Sequence, residues 1–277
     1  MKVLLLLLGF VLATDPLLAA EPPTVTAKSA VLFDATSGRV LFKKNPDEQR
    51  AVASTQKLLT ALIVAEAGGL SEMVTIKETD TAVEPTKIYV RPGQRYSRLQ
   101  LLNGLLVKSG NDVARALARD NAGSVSAFAQ RMTATMRELG GTSSNFMNPN
   151  GLPAEGQYSS ARDMARVARS AYRNPTLRQI MKTKYYDFLF TTGKTLTLKN
   201  TNRVLRYYSF CNGMKTGYTV KAGHCLISSG SYNGKDVIAV VLGSTKARVW
   251  EESLALLAYG LGIPPSSVEQ FRIGGTE

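Results

Sequence analysis

Apolar and polar positions along the chain change their period twice, and the changes divide it into three parts. Residues 29–44 (SAVLFDATSGRVLFKK) are two apolar runs around Thr36-Ser37-Gly38, which predicts a β-hairpin. From Ser54 the spacing turns helical. Leu58, Leu62 and Ala65 fall on one face, and Gly68-Gly69 stops the element. Residues 99–139 read as helix almost throughout, broken near Lys108-Ser109-Gly110 and near Gly123. Residues 148–156 (NPNGLPAEG) are loop by their Pro, Gly and Asn content, and residues 160–172 are helical again. Beyond Lys184 strands take over, at 185–190, 196–199, 210–215, 224–229 and 237–242, before a last helix over 249–261.

Strands at both ends with helices between predict an α+β fold. The N-terminal hairpin and the C-terminal strands would share one antiparallel sheet, covered by the first and last helices. The middle helices would form an inserted all-helical lobe, with a cleft at the junction. No internal repeat or linker interrupts residues 21–263, so they are expected to form one domain, with 264–277 as a short tail.

The N-terminus bears on compartment. Met1-Lys2 is a minimal positive region, and residues 3–13 are an apolar stretch too short to span a bilayer. Leu18-Ala19-Ala20 then offers small residues before Glu21-Pro22-Pro23. Residues 1–20 read as a secretory signal cleaved near Ala20, since a retained anchor would need several more apolar residues. An exported protein with no stable membrane anchor is expected, in the periplasm or the extracellular cell-wall space.

Composition agrees with an ordinary folded protein, 44% hydrophobic. The net charge of +13 suits an anionic surrounding such as a cell wall. Nothing resembles a zinc finger or an RNA-binding signature, so nucleic acid is not an expected partner. The arginines between 115 and 178 recur on helix-like segments and read as a solvated basic face. Two cysteines, Cys211 and Cys225, permit either one disulfide or two buried thiols.

Three short segments carry the candidate chemistry, in one order: Ser54-Thr55-Gln56-Lys57, Ser109-Gly110-Asn111 and Lys215-Thr216-Gly217. Each is weak alone. S-x-N also occurs at Ser143-Ser144-Asn145 and Ser231-Tyr232-Asn233, so the weight lies in the conjunction. Ser54 and Lys57 stand three apart at a helix start, on one face, where free N–H groups and the helix dipole favour an oxyanion. A serine needs a base. The only histidine, His224, would have to be recruited from a strand after the third segment; Lys57 is the nearer base, provided that it is neutral. A nearby cation such as Lys215, with partial burial, would lower its pKa. Ser109, in a break between helices, can both accept and donate a proton, and Asn111 can bind a substrate amide. Lys215 and Thr216 offer a charge and a hydroxyl to a carboxylate, with help from Arg248, while Gly217 leaves room for a peptide to lie alongside as an added strand. The plain alternatives are a helix-cap serine at Ser54, a capping serine at Ser109 and an edge strand with a protective lysine at Lys215.

The three segments resemble the S-x-x-K, S-x-N and K-T-G set of penicillin-binding proteins and class A β-lactamases. The similarity extends to residues 53–62, Lys108-Ser109-Gly110-Asn111-Asp112, Asn148-Pro149-Asn150-Gly151-Leu152 and residues 213–219, and runs over roughly 27–261. The chain resembles the D-alanyl-D-alanine carboxypeptidases, the low-mass penicillin-binding proteins of serine type. The resemblance implies a β-lactamase/transpeptidase-like fold and removal of the terminal D-Ala from peptidoglycan stem peptides. It implies β-lactam antibiotics as covalent inhibitors, and no cofactor or metal. It further implies Ser54 as acyl-enzyme nucleophile, Lys57 as general base, Ser109 as second active-site serine and Lys215 as substrate binder. The backbone N–H groups of Ser54 and Tyr218 would form the oxyanion hole. Tyr158 stands where many relatives carry histidine, and the β-rich second domain and amphipathic C-terminal anchor of several relatives are not expected. A β-lactamase on the same fold would need a base for the deacylating water, for which Glu155 is the only acid in its loop. A non-catalytic peptidoglycan-binding protein would have no reason to keep Ser54, Lys57, Ser109 and Lys215 together.

Overall fold

A computed structural model describes residues 21–273; the expected leader and the last four residues of the tail lie outside them. The hairpin forms as the alternation predicts, with β1 (Ser29–Asp34) pairing antiparallel with β2 (Val40–Lys44). Asp34 closes its turn by accepting from the backbone N–H and the hydroxyl of Ser37 at 2.6 and 2.8 Å, and Gly38 takes the positive φ of +80° that the turn needs. Those bonds hold the Asp34 carboxyl below its ordinary pKa.

A 3-10 turn, Ala53–Gln56, leads directly into α1 (Lys57–Glu66). The lobe follows, built from β3 (Met73–Thr75), α2 (Glu78–Thr81), β4 (Arg95–Ser97), α3 (Arg98–Asn103), α4 (Asn111–Ala122) and α5 (Val125–Glu138). Next come α6 (Ala161–Arg173), α7 (Pro175–Met181), β5 (Tyr185–Leu189), β6 (Thr195–Lys199) and α8 (Arg203–Tyr207). The chain then returns through β7 (Cys211–Thr219), β8 (Gly223–Tyr232), β9 (Lys235–Ser244) and α9 (Arg248–Leu261). The helix starts carry the side-chain caps that a serine or asparagine supplies: Ser124 for α5, Ser160 for α6, and Asn174 followed by Pro175 for α7.

The main sheet has the order β2-β1-β9-β8-β7, every neighbour antiparallel, so the two ends of the chain meet at β1 and β9. Alternation along β9 decides its layers. Val237, Ala239 and Val241 face a core shared with Leu256, Leu257 and Leu261 of α9. Ile238, Val240 and Leu242 face the larger core, shared with α1, α4, α5 and α6. A three-layer body results, with α9 on one face and the helical lobe on the other. Fully burying one such Val, Leu or Ile contributes about 1.5–3 kcal/mol.

Two expectations are corrected and one pair of alternatives is resolved. The strands at 185–190 and 196–199 do not join the main sheet; β5 and β6 form a separate antiparallel ribbon on the lobe. Only Phe188 and Leu198 of this ribbon are buried, and Phe188 packs tilted against Tyr96 and edge-on against Phe190. A ribbon with one apolar face cannot occupy a sheet interior that is dry on both sides. The strand at 210–215 runs on to Thr219, because Gly217 and Tyr218 keep their pairing with Cys225 and His224. Of the two cysteine alternatives, the buried thiols hold: Cys225 lies opposite Gly217 and Cys211 opposite Gly230, and the two face different cores. Burial pushes their thiols up, to about 12 for Cys211 and about 11 for Cys225. In the tail, a 3-10 helix over Pro265–Phe271 docks on the sheet through Phe271, which meets Phe210 and Tyr232 edge-on.

Candidate active site

Ser54 lies in the first turn ahead of α1, half-buried, following Ala53 at φ 48°. Its N–H precedes the first bonded amide of the turn, Thr55 to Val52 at 3.3 Å, and so is left for another acceptor. One turn on, Lys57 is fully buried, an unusual place for an amine. Its Nζ stands 2.7 Å from Ser54 Oγ, 2.7 Å from Asn111 Oδ1 and 2.8 Å from the Asn150 carbonyl. Burial, and then the charge of Lys215, push the Lys57 pKa well below the ordinary lysine value, against a smaller upward pull from Asp112. A neutral amine has two N–H groups and one lone pair. Asn111 and Asn150 take the two hydrogens, which turns the lone pair toward the Ser54 hydroxyl. A protonated Lys57 would find three acceptors in the same cradle, so either state is satisfied.

The second segment is positioned by a break in helical geometry. Gly104–Lys108 widens into a π turn, Ser109 takes a left-handed φ of 73°, and α4 starts at Asn111. The orientation of the Asn111 amide is fixed from both ends, since its Nδ2 donates to the Glu84 carbonyl at 2.8 Å. Ser109 is largely buried, and its hydroxyl has no hydrogen-bond partner among the described residues.

The third segment lies on β7, the edge strand of the sheet on this side. Lys215 is fully buried rather than displayed on the edge, and its Nζ donates to the Thr216 carbonyl at 2.8 Å. Burial lowers its pKa to about 7. The protective edge lysine is thereby excluded; the ammonium faces inward, toward Lys57. Thr216 Oγ1 donates to Thr201 Oγ1 at 2.7 Å. A Cβ on Gly217 would come within 2.8 Å of Ser54 N, so glycine lets β7 lie against the serine turn.

Not every candidate joins this cluster. Tyr218 is exposed, its ring stacked on His224 at 4.4 Å. His224 makes no hydrogen bond to Ser54 among the described residues, and no Ser-His-Asp triad is assembled there. Arg248 stands exposed at the start of α9, without a side-chain contact to Lys215 or Thr216 among the described residues. Glu155 is exposed and makes no hydrogen bond or ion pair there. Tyr158 bridges Asn145 by backbone alone.

Two contributors escape sequence reasoning. One is the Asn150 carbonyl, which also accepts from Ser54 Oγ at 3.2 Å. Its loop is bolted to α1 by Gln56 Nε2 on the Asn148 carbonyl (2.6 Å) and Thr60 Oγ1 on the Pro149 carbonyl (2.7 Å). Gly151, at φ +84°, permits the approach: a Cβ there would sit 2.1 Å from the Ala53 carbonyl oxygen. Gly151→Ala is expected to lower both melting temperature and turnover, the latter at least tenfold, measured by thermal melts alongside kinetics. The other is Asp112, a buried carboxylate that accepts from the Ile88, Tyr89 and Val113 N–H groups at 2.8–3.0 Å. Burial raises its pKa above the ordinary carboxyl value.

A buried lysine joined to a serine at a helix start, beside the edge of a five-stranded antiparallel sheet with a helical lobe, defines the serine–lysine class on the β-lactamase-like fold. Within that class the chain belongs to the D-alanyl-D-alanine carboxypeptidase family, peptidase S11, whose model matches residues 17–246. It is 37% identical over 225 residues to the D-alanyl-D-alanine carboxypeptidase DacF of Bacillus subtilis, an alignment covering 79% of this chain and 58% of that one. The D-alanyl-D-alanine carboxypeptidase of Streptomyces sp. K15 is 32% identical, with 93% and 95% covered. The crystal structure of the Streptomyces K15 DD-transpeptidase superposes with a TM-score of 0.82 at 31% identity, covering 88% of this chain and all of that one. The chain thus spans less than two thirds of the DacF relative and nearly the whole of the Streptomyces one.

Proposed function

We propose that the chain is an exported serine D-Ala-D-Ala carboxypeptidase acting on peptidoglycan stem peptides through an acyl-enzyme on Ser54. The observation that carries this reading is the 2.7 Å contact between Ser54 Oγ and the fully buried Nζ of Lys57, held by two carbonyl-type acceptors. Neutral Lys57 takes the Ser54 proton as Oγ attacks the carbonyl carbon of the penultimate D-Ala. The oxyanion is received by the N–H groups of Ser54 and Tyr218. The proton on Lys57 passes by way of Ser109 to the departing amine, the C–N bond breaks and free D-Ala leaves. Water then attacks the ester, giving its proton back through Lys57, and Ser54 is restored. Asn111 holds Lys57 in place and meets the substrate amide, while Gly217 lets the peptide lie along β7 as a further strand. Lys215, Thr216 and Arg248 receive the terminal carboxylate; of these, Lys215 also adds its charge to the burial that favours neutral Lys57.

The test is release of D-Ala from a peptide ending in D-Ala-D-Ala, with Ser54→Ala as the control. Turnover that survives in Ser54→Ala would overturn the assignment. Lys215→Ala is expected to lower kcat/KM by at least about tenfold, the cost of one charge-assisted contact. Equal activity on a C-terminally amidated peptide and on its free acid would count against the carboxylate role. An added amino acceptor distinguishes transfer from hydrolysis, because a transpeptidase would pass the acyl group to the amine in place of water. Export is supported by the apolar residues 3–13 followed by small residues to Ala20. Among the described residues no helix is long and apolar enough to cross a membrane. N-terminal sequencing of the protein recovered from outside the cytoplasm should begin near Glu21.

A further inference from the structure

Tyr89 has three features that the serine–lysine chemistry leaves unexplained. It is a bulky aromatic residue held at φ 67°, a left-handed conformation that strains any side chain beyond glycine. Its side chain is 67% exposed and makes no hydrogen bond or ring contact among the described residues that would offset the strain. Its backbone is nevertheless locked. The N–H groups of Tyr89 and Ile88 donate to Asp112 Oδ2 at 2.8 and 3.0 Å. Just upstream, the Asn111 N–H donates to the Thr86 carbonyl at 2.7 Å and Asn111 Nδ2 donates to the Glu84 carbonyl.

Asn111 and Asp112, the residues that open α4 beside Ser109, therefore fix the segment that carries Tyr89. Ile88 and Val90 on either side are buried, and Ile88 packs against Gly110, which leaves Tyr89 as the outward-facing residue next to the second motif. Asn111 in turn holds Lys57, so Tyr89 is tied through one asparagine and its neighbour to the reacting serine. On the sheet side of Ser54, β7 carries another exposed aromatic residue, Tyr218.

We infer that Tyr89 is a specificity-determining residue: its ring is the helical-lobe wall against which the side chain preceding the D-Ala-D-Ala pair packs. The inference rests on the peptidase reading above. A peptide extended along β7 past Ser54 runs between the sheet and the segment bolted to Asn111 and Asp112. An aromatic face there favours a residue with a long methylene chain, such as a diamino acid, over one without a side chain. Glycine would satisfy the same φ without strain, so the ring has a use that the backbone does not supply.

The experiment compares kcat and KM on two N-acylated tripeptides, L-Lys-D-Ala-D-Ala and Gly-D-Ala-D-Ala, for the parent chain, Tyr89→Phe, Tyr89→Ala and Tyr89→Gly, with a melting curve for each. The parent should prefer the lysyl peptide. Tyr89→Ala and Tyr89→Gly should raise KM for that peptide by about five- to twentyfold, more than for the glycyl one, and collapse the preference. Tyr89→Phe should retain it. Tyr89→Gly should melt at the parent temperature or up to about 3 °C above it, because the strain is gone. A preference unchanged in Tyr89→Ala overturns the inference. So does an equal loss on both peptides with a lowered melting temperature in Tyr89→Gly, which would mark the ring as a packing element. A parent chain that releases D-Ala from neither peptide overturns the peptidase reading and this inference with it.

Discussion

Lys57→Arg is expected to lower kcat/KM by at least about a thousandfold, because arginine keeps its proton at any usable pH and cannot take the one from Ser54. The guanidinium would still be a cation in the same cradle, so the loss would report the missing lone pair rather than a missing charge. The same assignment fixes the sign of the pH dependence. Burial and the charge of Lys215 both disfavour the ammonium form of Lys57, so its pKa lies below that of a free lysine. Activity should rise with pH through that lowered value as the base becomes neutral. Lys215, at about 7 in the free chain, must keep its proton to receive a carboxylate, so kcat/KM should fall again as that proton leaves. The two amines titrate as a coupled pair, so the limbs of the profile belong to the pair, and the charge of Lys215 acts to lower the limb on which Lys57 sheds its proton. Removing that field in Lys215→Ala should move the rising limb to higher pH. A pH profile without a rising limb, or substantial turnover in Lys57→Arg, would remove Lys57 from the role of base.

Legibility in the sequence followed the kind of signal each feature leaves. The spacing of Ser54 and Lys57 at a helix start survives any packing detail, and the structure brings them into contact. The β1–β2 hairpin and the two-faced β9 are visible because strand alternation records burial directly. The same alternation misplaced β5 and β6, since it tells that one face is covered and not by what; here the cover is the lobe around Tyr96. The Asn150 carbonyl could not be read at all, because every residue has a carbonyl and only the fold selects this one. A weak trace existed in the loop sequence Asn148-Pro149-Asn150-Gly151, whose glycine allows the close approach. Lys215 is legible as a cation beside the cleft, but its full burial is not, because lysine is ordinarily a surface residue. Its burial follows from β7 packing against the turn Ala53–Gln56 ahead of α1, a register that no local pattern encodes.

Brief exposure to penicillin is expected to leave one drug mass on Ser54 that persists through many peptide turnovers. The strained β-lactam ring presents the same amide that Ser54 attacks in D-Ala-D-Ala, and ring opening gives the same ester. The outcomes then diverge. Free D-Ala diffuses away and vacates the approach for water, whereas the amine of the opened ring remains tethered to the acyl group. For the drug ester Lys57 must serve the water without the added base on which a β-lactamase would rely. Glu155, the acid that a β-lactamase reading would recruit, is exposed and bonded to no part of the cluster. Slowing hydrolysis from about 10 per second to one event in about a quarter of an hour takes roughly 5–6 kcal/mol of added barrier, within reach of a missing base and a blocked approach. Intact-mass spectrometry should show a single adduct. Ser54→Ala should abolish it, while alanine at Ser143 or Ser231 should leave it intact, because Ser54 is the serine that Lys57 Nζ bonds, whereas the Ser143 N–H donates to Asp163 and Ser231 is exposed. Rapid turnover of penicillin with no adduct caught would instead move the chain to the β-lactamase reading. An adduct that forms in Ser54→Ala would place the nucleophile elsewhere, and with it the whole serine–lysine assignment.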